Sequence, residues 1–311
     1  MKTVDKLMLC LMICLVSAHS TNGQHAPKAF VPILKAKFSI PQLPQATAVE
    51  QQMIEDVKSG TLTEESLKKY LSDEKFNINA QAAFPGTETT ITALMQAVKY
   101  NNVPTARLLL KYGADSNAQD NQGSTALSHA IVLSDEDGTK MLKLLLAKGA
   151  DPNRANLYGF TPLSYAIGRG MLEAVHLLLA TKKVNLEQQD QMGTTPLMEA
   201  AFIHNPSIFD LLLKQGAQVD ARDDYGWTGL MQAAENGDKI AVLMFLGADA
   251  NPFLQSYDKA TIAEKIKGDP EYQNWNDEKR EREIEHRANK TFFSLAGKLV
   301  FDPYIQAMLI I

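Results

Sequence analysis

The chain has 311 residues, 31 basic against 36 acidic, for a formal net charge of −5 at pH 7. A mildly acidic surface excludes the basic footprint that nucleic acid requires. Both cysteines, Cys10 and Cys14, lie close to the N-terminus, so beyond residue 20 the chain has no disulfide and rests on core burial, for which it is long enough.

Residues 1–20 read as a secretory signal peptide. Lys2 and Lys6 form a basic start, Leu7 to Ala18 an apolar run, and Ala18 and Ser20 offer small residues before a cut. The run is shorter than the roughly 20 apolar residues that span a bilayer. The expectation is an exported protein, periplasmic or secreted, with an N-terminal membrane anchor as the alternative. Lipidation is disfavoured, because Leu9 and Ile13 precede the cysteines where lipoprotein signals carry small residues. Residues 21–46 hold four prolines and no helical period, as an extended linker would.

Residues 47–79 look like a cap built of two helices. "TAVE" and "TLTE" match the S/T-x-x-E capping box and place starts at about Thr47 and Thr61. Val49, Met53 and Val57 give the first helix an apolar stripe, and Leu67, Tyr70 and Leu71 the second.

From residue 80 to 257 one clause recurs. "TALMQA", "TALSHA", "TPLSYA", "TPLMEA" and "TGLMQA" begin at Thr92, Thr125, Thr161, Thr195 and Thr228, and Thr261 keeps the spacing. A reaction needs one site, so a clause repeated about every 33 residues describes a building unit. Each threonine sits where its hydroxyl can cap a helix. Pro162 and Pro196 follow at the first helical position, where a missing N–H costs nothing. Leu163 and Ala166, or Leu197 and Ala200, fall three apart on one buried face. A second helix carries the leucine triples, and Gly113, Gly149, Gly216 and Gly247 follow at its end, where a left-handed residue is expected. Repeat 3 has three extra residues around "LSDEDG", and repeat 6 is short by two, which predicts a shortened or bent second helix.

Residues 258–268 read as a degenerate final repeat, and 269–311 as a helical extension. Ile284, Ala288, Phe292, Leu295 and Leu299 recur at helical spacing, with charges on the other face, and predict one long amphipathic helix from Asp277 to Leu299. That helix reads as a lid on the last repeat, or as a partner-binding or membrane-surface element. The tail "YIQAMLII" is too short to span a membrane.

The five clauses in register, with their leucine clusters, resemble the ankyrin-repeat family over about residues 50–268. The resemblance implies an all-α solenoid of helix-turn-helix units linked by hairpin loops. It also implies a non-catalytic role, with a protein partner held by the hairpin tips and the concave helix face; the partner's identity is open. An adaptor, an inhibitor or immunity protein for an enzyme, and a secreted effector all fit. An enzyme with an unrecognised site would need a titratable cluster that the linear sequence does not show.

No cofactor or metal is expected. The six histidines show no metal-ligand spacing, "GRGMLE" lacks the last glycine of a phosphate loop, and "SDEDG" lacks the alternating ligands of a calcium loop. The binding stripe is expected across repeats 4 to 6 of a monomer. Tyr158, Phe160, Met192, Tyr225 and Trp227 stand beside the tip glycines, with Phe202, Ile203 and Arg169 at the inner-helix turns. Exposed aromatics with an arginine are the composition of interface hot spots. Equally, aromatics at these tips can pack on the neighbouring tip.

Overall fold

The computed structural model of the protein describes residues 46–83, 89–133, 136–258, 276–297, 299 and 302–309. The expectations for the signal peptide, the linker, residues 134–135 of the "LSDEDG" turn and most of the degenerate final repeat lie outside the described residues. The chain divides into two compact units between Val184 and Asn185.

In the first unit, α1 (Ala48–Ser59) and α2 (Glu64–Leu71) form the cap. Thr47 and Glu50 close a reciprocal capping box. The second start is not Thr61 but Thr63, which caps α2 with Ser66. Thr61 instead donates its N–H to Asp56 O at 2.9 Å, closing the turn behind Gly60. The strands β1 (Ala82–Ala83) and β2 (Thr90–Ile91) pair antiparallel, Ala82 opposite Ile91. Helix pairs then follow: α3 (Ala93–Lys99) with α4 (Val103–Lys111), α5 (Ala126–Val132) with α6 (Glu136–Ala147), and α7 (Pro162–Gly168) with α8 (Leu172–Ala180). The inner helices α1, α3, α5 and α7 stack in that order, as do the outer helices α4, α6 and α8. Between the layers, Leu109, Leu127, Leu145 and Leu178 are fully buried.

The second unit holds α9 (Pro196–Phe202) with α10 (Pro206–Lys214) and α11 (Gly229–Glu235) with α12 (Lys239–Gly247). Beyond them lie α13 (Asp277–Arg287), α14 (Phe292–Ala296) and α15 (Pro303–Leu309). Helix α14 packs on α11 and α15 on α12, as one repeat packs on the next.

The repeated threonines do what their position predicts. Thr92, Thr125, Thr161, Thr195 and Thr228 each accept, through Oγ1, the backbone N–H three residues on. All five are buried, and each such cap is worth about 1 kcal/mol.

Two expectations are corrected. Helix α12 is not shortened: it has 9 residues, as α10 has. Gly247 lies inside it, and Asp249, with φ of 60°, takes the left-handed position that Gly216 fills one repeat earlier. Lys182, at φ 55°, does the same in repeat 4.

The long helix from Asp277 to Leu299 is broken. Ala288 is extended and Asn289 left-handed, and Thr291 opens α14 with its own capping box to Ser294. The helical spacing misled because Ala288, Phe292 and Leu299 are all buried, but only Phe292 lies in an α-helix: Ala288 is the extended residue after α13, and Leu299 lies beyond α14.

Gln255 pairs with Thr291 in the same antiparallel bridge that joins Gln119 to Thr125 and Arg222 to Thr228. The latter bridges span six positions; this one spans thirty-six. The tip after repeat 6 therefore carries an insertion of about thirty residues, α13 among them. The pair α14–α15 stacks on repeat 6.

Candidate functional site

Four hairpin tips, those before Thr125, Thr161, Thr195 and Thr228, are each held by one side chain five residues before the threonine. Asp120, Asn156, Asp190 and Asp223 each accept two backbone N–H groups through Oδ1, at 2.8 to 3.0 Å. In three repeats the remaining side-chain atom meets the residue four past the threonine, on the inner helix. His129 Nε2 lies 3.0 Å from Asp120 Oδ2, Asn156 Nδ2 donates to Tyr165 Oη at 2.8 Å, and Gln232 Nε2 donates to Asp223 Oδ2 at 2.9 Å. In repeat 5 both positions are acids, Asp190 and Glu199. Burial pushes the Glu199 carboxyl well above the usual carboxylate range, and the charge of Asp190 adds to it. Burial also pushes Asp223 up, against the pull of the Trp227 and Tyr225 N–H groups, Arg287 and Gln232.

The predicted stripe divides by exposure. Phe160, Tyr225 and Trp227 are buried, so their expected solvent exposure is corrected. In the first unit Phe160 packs against Tyr165, with ring centroids 6.2 Å apart. Tyr158 is half-buried and Arg169, at the end of α7, is exposed. In the second unit Met192 is exposed at its tip, and Phe202 and Ile203 are half-buried at the α9–α10 turn. His204 in that turn, at φ 55°, faces Asp238 across 2.8 Å.

Tyr225 and Trp227 are covered by the insertion. They form a cluster with Met231 and Ala288, against which Leu254, Tyr257, Ile284 and Leu295 pack. The Trp227 indole N–H donates 2.9 Å to Arg287 O, and the Arg287 guanidinium sits 3.9 Å over the Tyr225 ring. His286 Nε2 lies 3.2 Å from Glu235 Oε1 on α11. Sequence reasoning missed this arrangement because the period suggested Thr261 as the next cap. The usable signal was Thr291 followed three residues later by Ser294, a second candidate cap just past Asn289.

Among the described residues, no group of three or more His, Cys, Asp or Glu could hold a metal ion. No described helix is long and apolar enough to cross a membrane.

The ankyrin-repeat family profile (three copies) matches residues 57–156 and 163–255. The chain is 33% identical over 159 residues to a protein of Escherichia coli (strain K12) named for its ankyrin repeats, YahD. That match covers 49% of this chain and 78% of the relative. It is 34% identical over 170 residues to the neurogenic locus notch homolog protein 1 of Mus musculus, covering 55% of this chain but 5% of that protein. Among solved structures, the ankyrin repeat domain of Bcl-3 superposes with a TM-score of 0.53 at 24% identity, covering 68% of this chain and 90% of that one.

Proposed function

The chain belongs to the ankyrin-repeat family, and from that premise we propose that it is a non-catalytic, exported adaptor that grips one protein partner. The family membership carries the interaction role. The observation that supports a location is the placement of Met192, Phe202 and Ile203 in the second unit, where apolar side chains at a tip and an inner-helix turn stay in contact with water. Such residues add little to the fold and much to an interface, where a few anchors dominate the binding energy. Tyr158 and Arg169 are the corresponding candidates in the first unit. The signal-like segment 1–20 supports export, with cleavage near Ser20.

The test is quantitative cross-linking capture from the native cell, comparing wild type with Phe202→Ser/Ile203→Ser at equal folded concentration. The reading expects one or a few proteins whose capture falls at least tenfold in the variant. Equal capture by both proteins would remove these residues from the interface. Recovery of a protein that still begins at Met1 would refute cleavage.

A further inference from the structure

We propose that α13 is an intramolecular ligand occupying an interaction surface on repeat 6, and that this surface accepts, in its place, a partner helix carrying an arginine three residues after an aliphatic residue. The inference rests on the interaction role above and deepens it by naming the chemistry of one recognised segment.

At the place of Tyr225, repeat 5 exposes Met192 and repeat 4 half-buries Tyr158, whereas Tyr225 is covered. Trp227 and Tyr225 hold the tip positions, and Glu235 lies seven past its threonine, as Phe202 does in repeat 5. The surface is aromatic and acidic, with buried Asp223 accepting the Tyr225 N–H and Glu235 at the end of α11. What covers it is complementary. Arg287 stacks on Tyr225, His286 faces Glu235, and Ile284 packs against the cluster of Tyr225, Trp227 and Met231.

The hold is light. No residue of α13 is fully buried, whereas α14 buries Phe292 and Ala296 and α15 buries Ile305. Two of its anchors converge on one atom, Arg287 O, which accepts from the Trp227 indole and, at 2.9 Å, from the Ser256 hydroxyl. Arg287 also pairs with Glu283 within the helix. A helix of 11 residues is below the roughly 12–15 that hold their shape alone in water. It therefore owes its order to docking, and elements with few buried contacts open at low free energy. A competing segment displaces α13 while α14 and α15 keep the end of the stack closed.

Two measurements on the full chain test this. In native-state hydrogen exchange of the wild type, the α13 amides are expected to exchange at least tenfold faster than those of α11. Exchange of both helices at one rate would overturn the proposal. In the second measurement, a fluorescent peptide of residues 277–290 is titrated in trans against wild type and Ile284→Ala/Arg287→Ala. The variant is expected to bind it at least tenfold more tightly than wild type, and Tyr225→Ala added to the variant is expected to abolish that gain. A folded variant that binds no better than wild type would overturn it. Neither readout uses the cellular partner. Failed capture with successful peptide binding sinks only the adaptor reading, and the reverse sinks only this one.

Discussion

Trp227 and Arg287 stand sixty residues apart in sequence, yet the indole N–H of one meets the carbonyl oxygen of the other at 2.9 Å. The bond fastens an inserted helix to a hairpin tip and turns an expected contact residue into a structural one. Trp227→Ala should lower unfolding free energy by about 3 kcal/mol, the cost of emptying a buried aromatic site. Trp227→Phe, which keeps the ring but loses the donor, should cost about 1 kcal/mol. Urea unfolding checks both, and a Trp227→Ala protein as stable as wild type would show that the tip is not packed.

The acid pair of repeat 5 makes stability depend on pH. A carboxyl whose folded pKa is raised holds its proton more tightly when folded. Its contribution is complete below the unfolded value and is lost as pH rises through the folded one. Glu199 and, to a lesser degree, Asp223 are shifted upward, so the urea midpoint should fall as pH rises above the ordinary carboxylate range. Glu199→Gln should flatten most of that fall and raise the midpoint at pH 7, because Gln232 already bonds Asp223 from the equivalent place. A Gln variant with an unchanged pH profile would remove Glu199 from the account.

Gly229 is tolerated for a reason unrelated to helix propensity. A Cβ there would lie 2.2 Å from Cζ of the buried Phe245. Gly229→Ala should therefore destabilise by about 1–3 kcal/mol through overpacking, although alanine is the better helix former. Phe245→Leu in the same chain should recover part of the loss, as thermal melts of the single and double variants can show.

Gly216 has open space around its Cα and φ of 96°. Gly216→Ala should cost about 1 kcal/mol from backbone strain alone. Lys182→Gly, at φ 55°, should gain a few tenths of a kcal/mol once the extra freedom of the unfolded chain is subtracted. Chemical denaturation of the two variants should move their midpoints in opposite directions.

Excision of residues 258–287 restores the six-position spacing between Gln255 and its bridge partner. The shortened chain should still stack α14 on α11 and melt cooperatively. Truncation after Gln255 instead bares the face of α11 and α12 that covers the buried Phe292 and Ile305, and should aggregate. Light scattering of the two shortened chains separates them; equal behaviour would mean that α14–α15 does not close the stack.

What the sequence made legible was local chemistry that repeats. Thr92 through Thr228 cap their helices because the T-P-L-x-x-A clause states the cap, the first turn and the buried face in six letters. The helix-end glycines Gly113, Gly149 and Gly216 were equally readable, since few other residues adopt their backbone, whereas Gly247 lies inside α12. The exposure of tip aromatics was not. Phe160 and Trp227 occupy the same place in their repeats, but one packs on Tyr165 and the other beneath a helix inserted far downstream. No local pattern encodes which distant segment will cover a residue. The break at Asn289 was hidden for a related reason: an apolar spacing of three and four survives when residues of a helix and of the turns on either side of it are all buried.

The closure between Gln255 and Thr291 shows that the backbone joins repeats by matching hydrogen bonds, not by chain length. A hairpin tip fixed at its base by such a bridge is a neutral point for grafting. A cargo segment can enter there without shifting the register of any helix on either side, and it is delivered beside the array's own exposed tips. An array of this kind gains a new attachment by lengthening one loop, with the old stack left to fold as before.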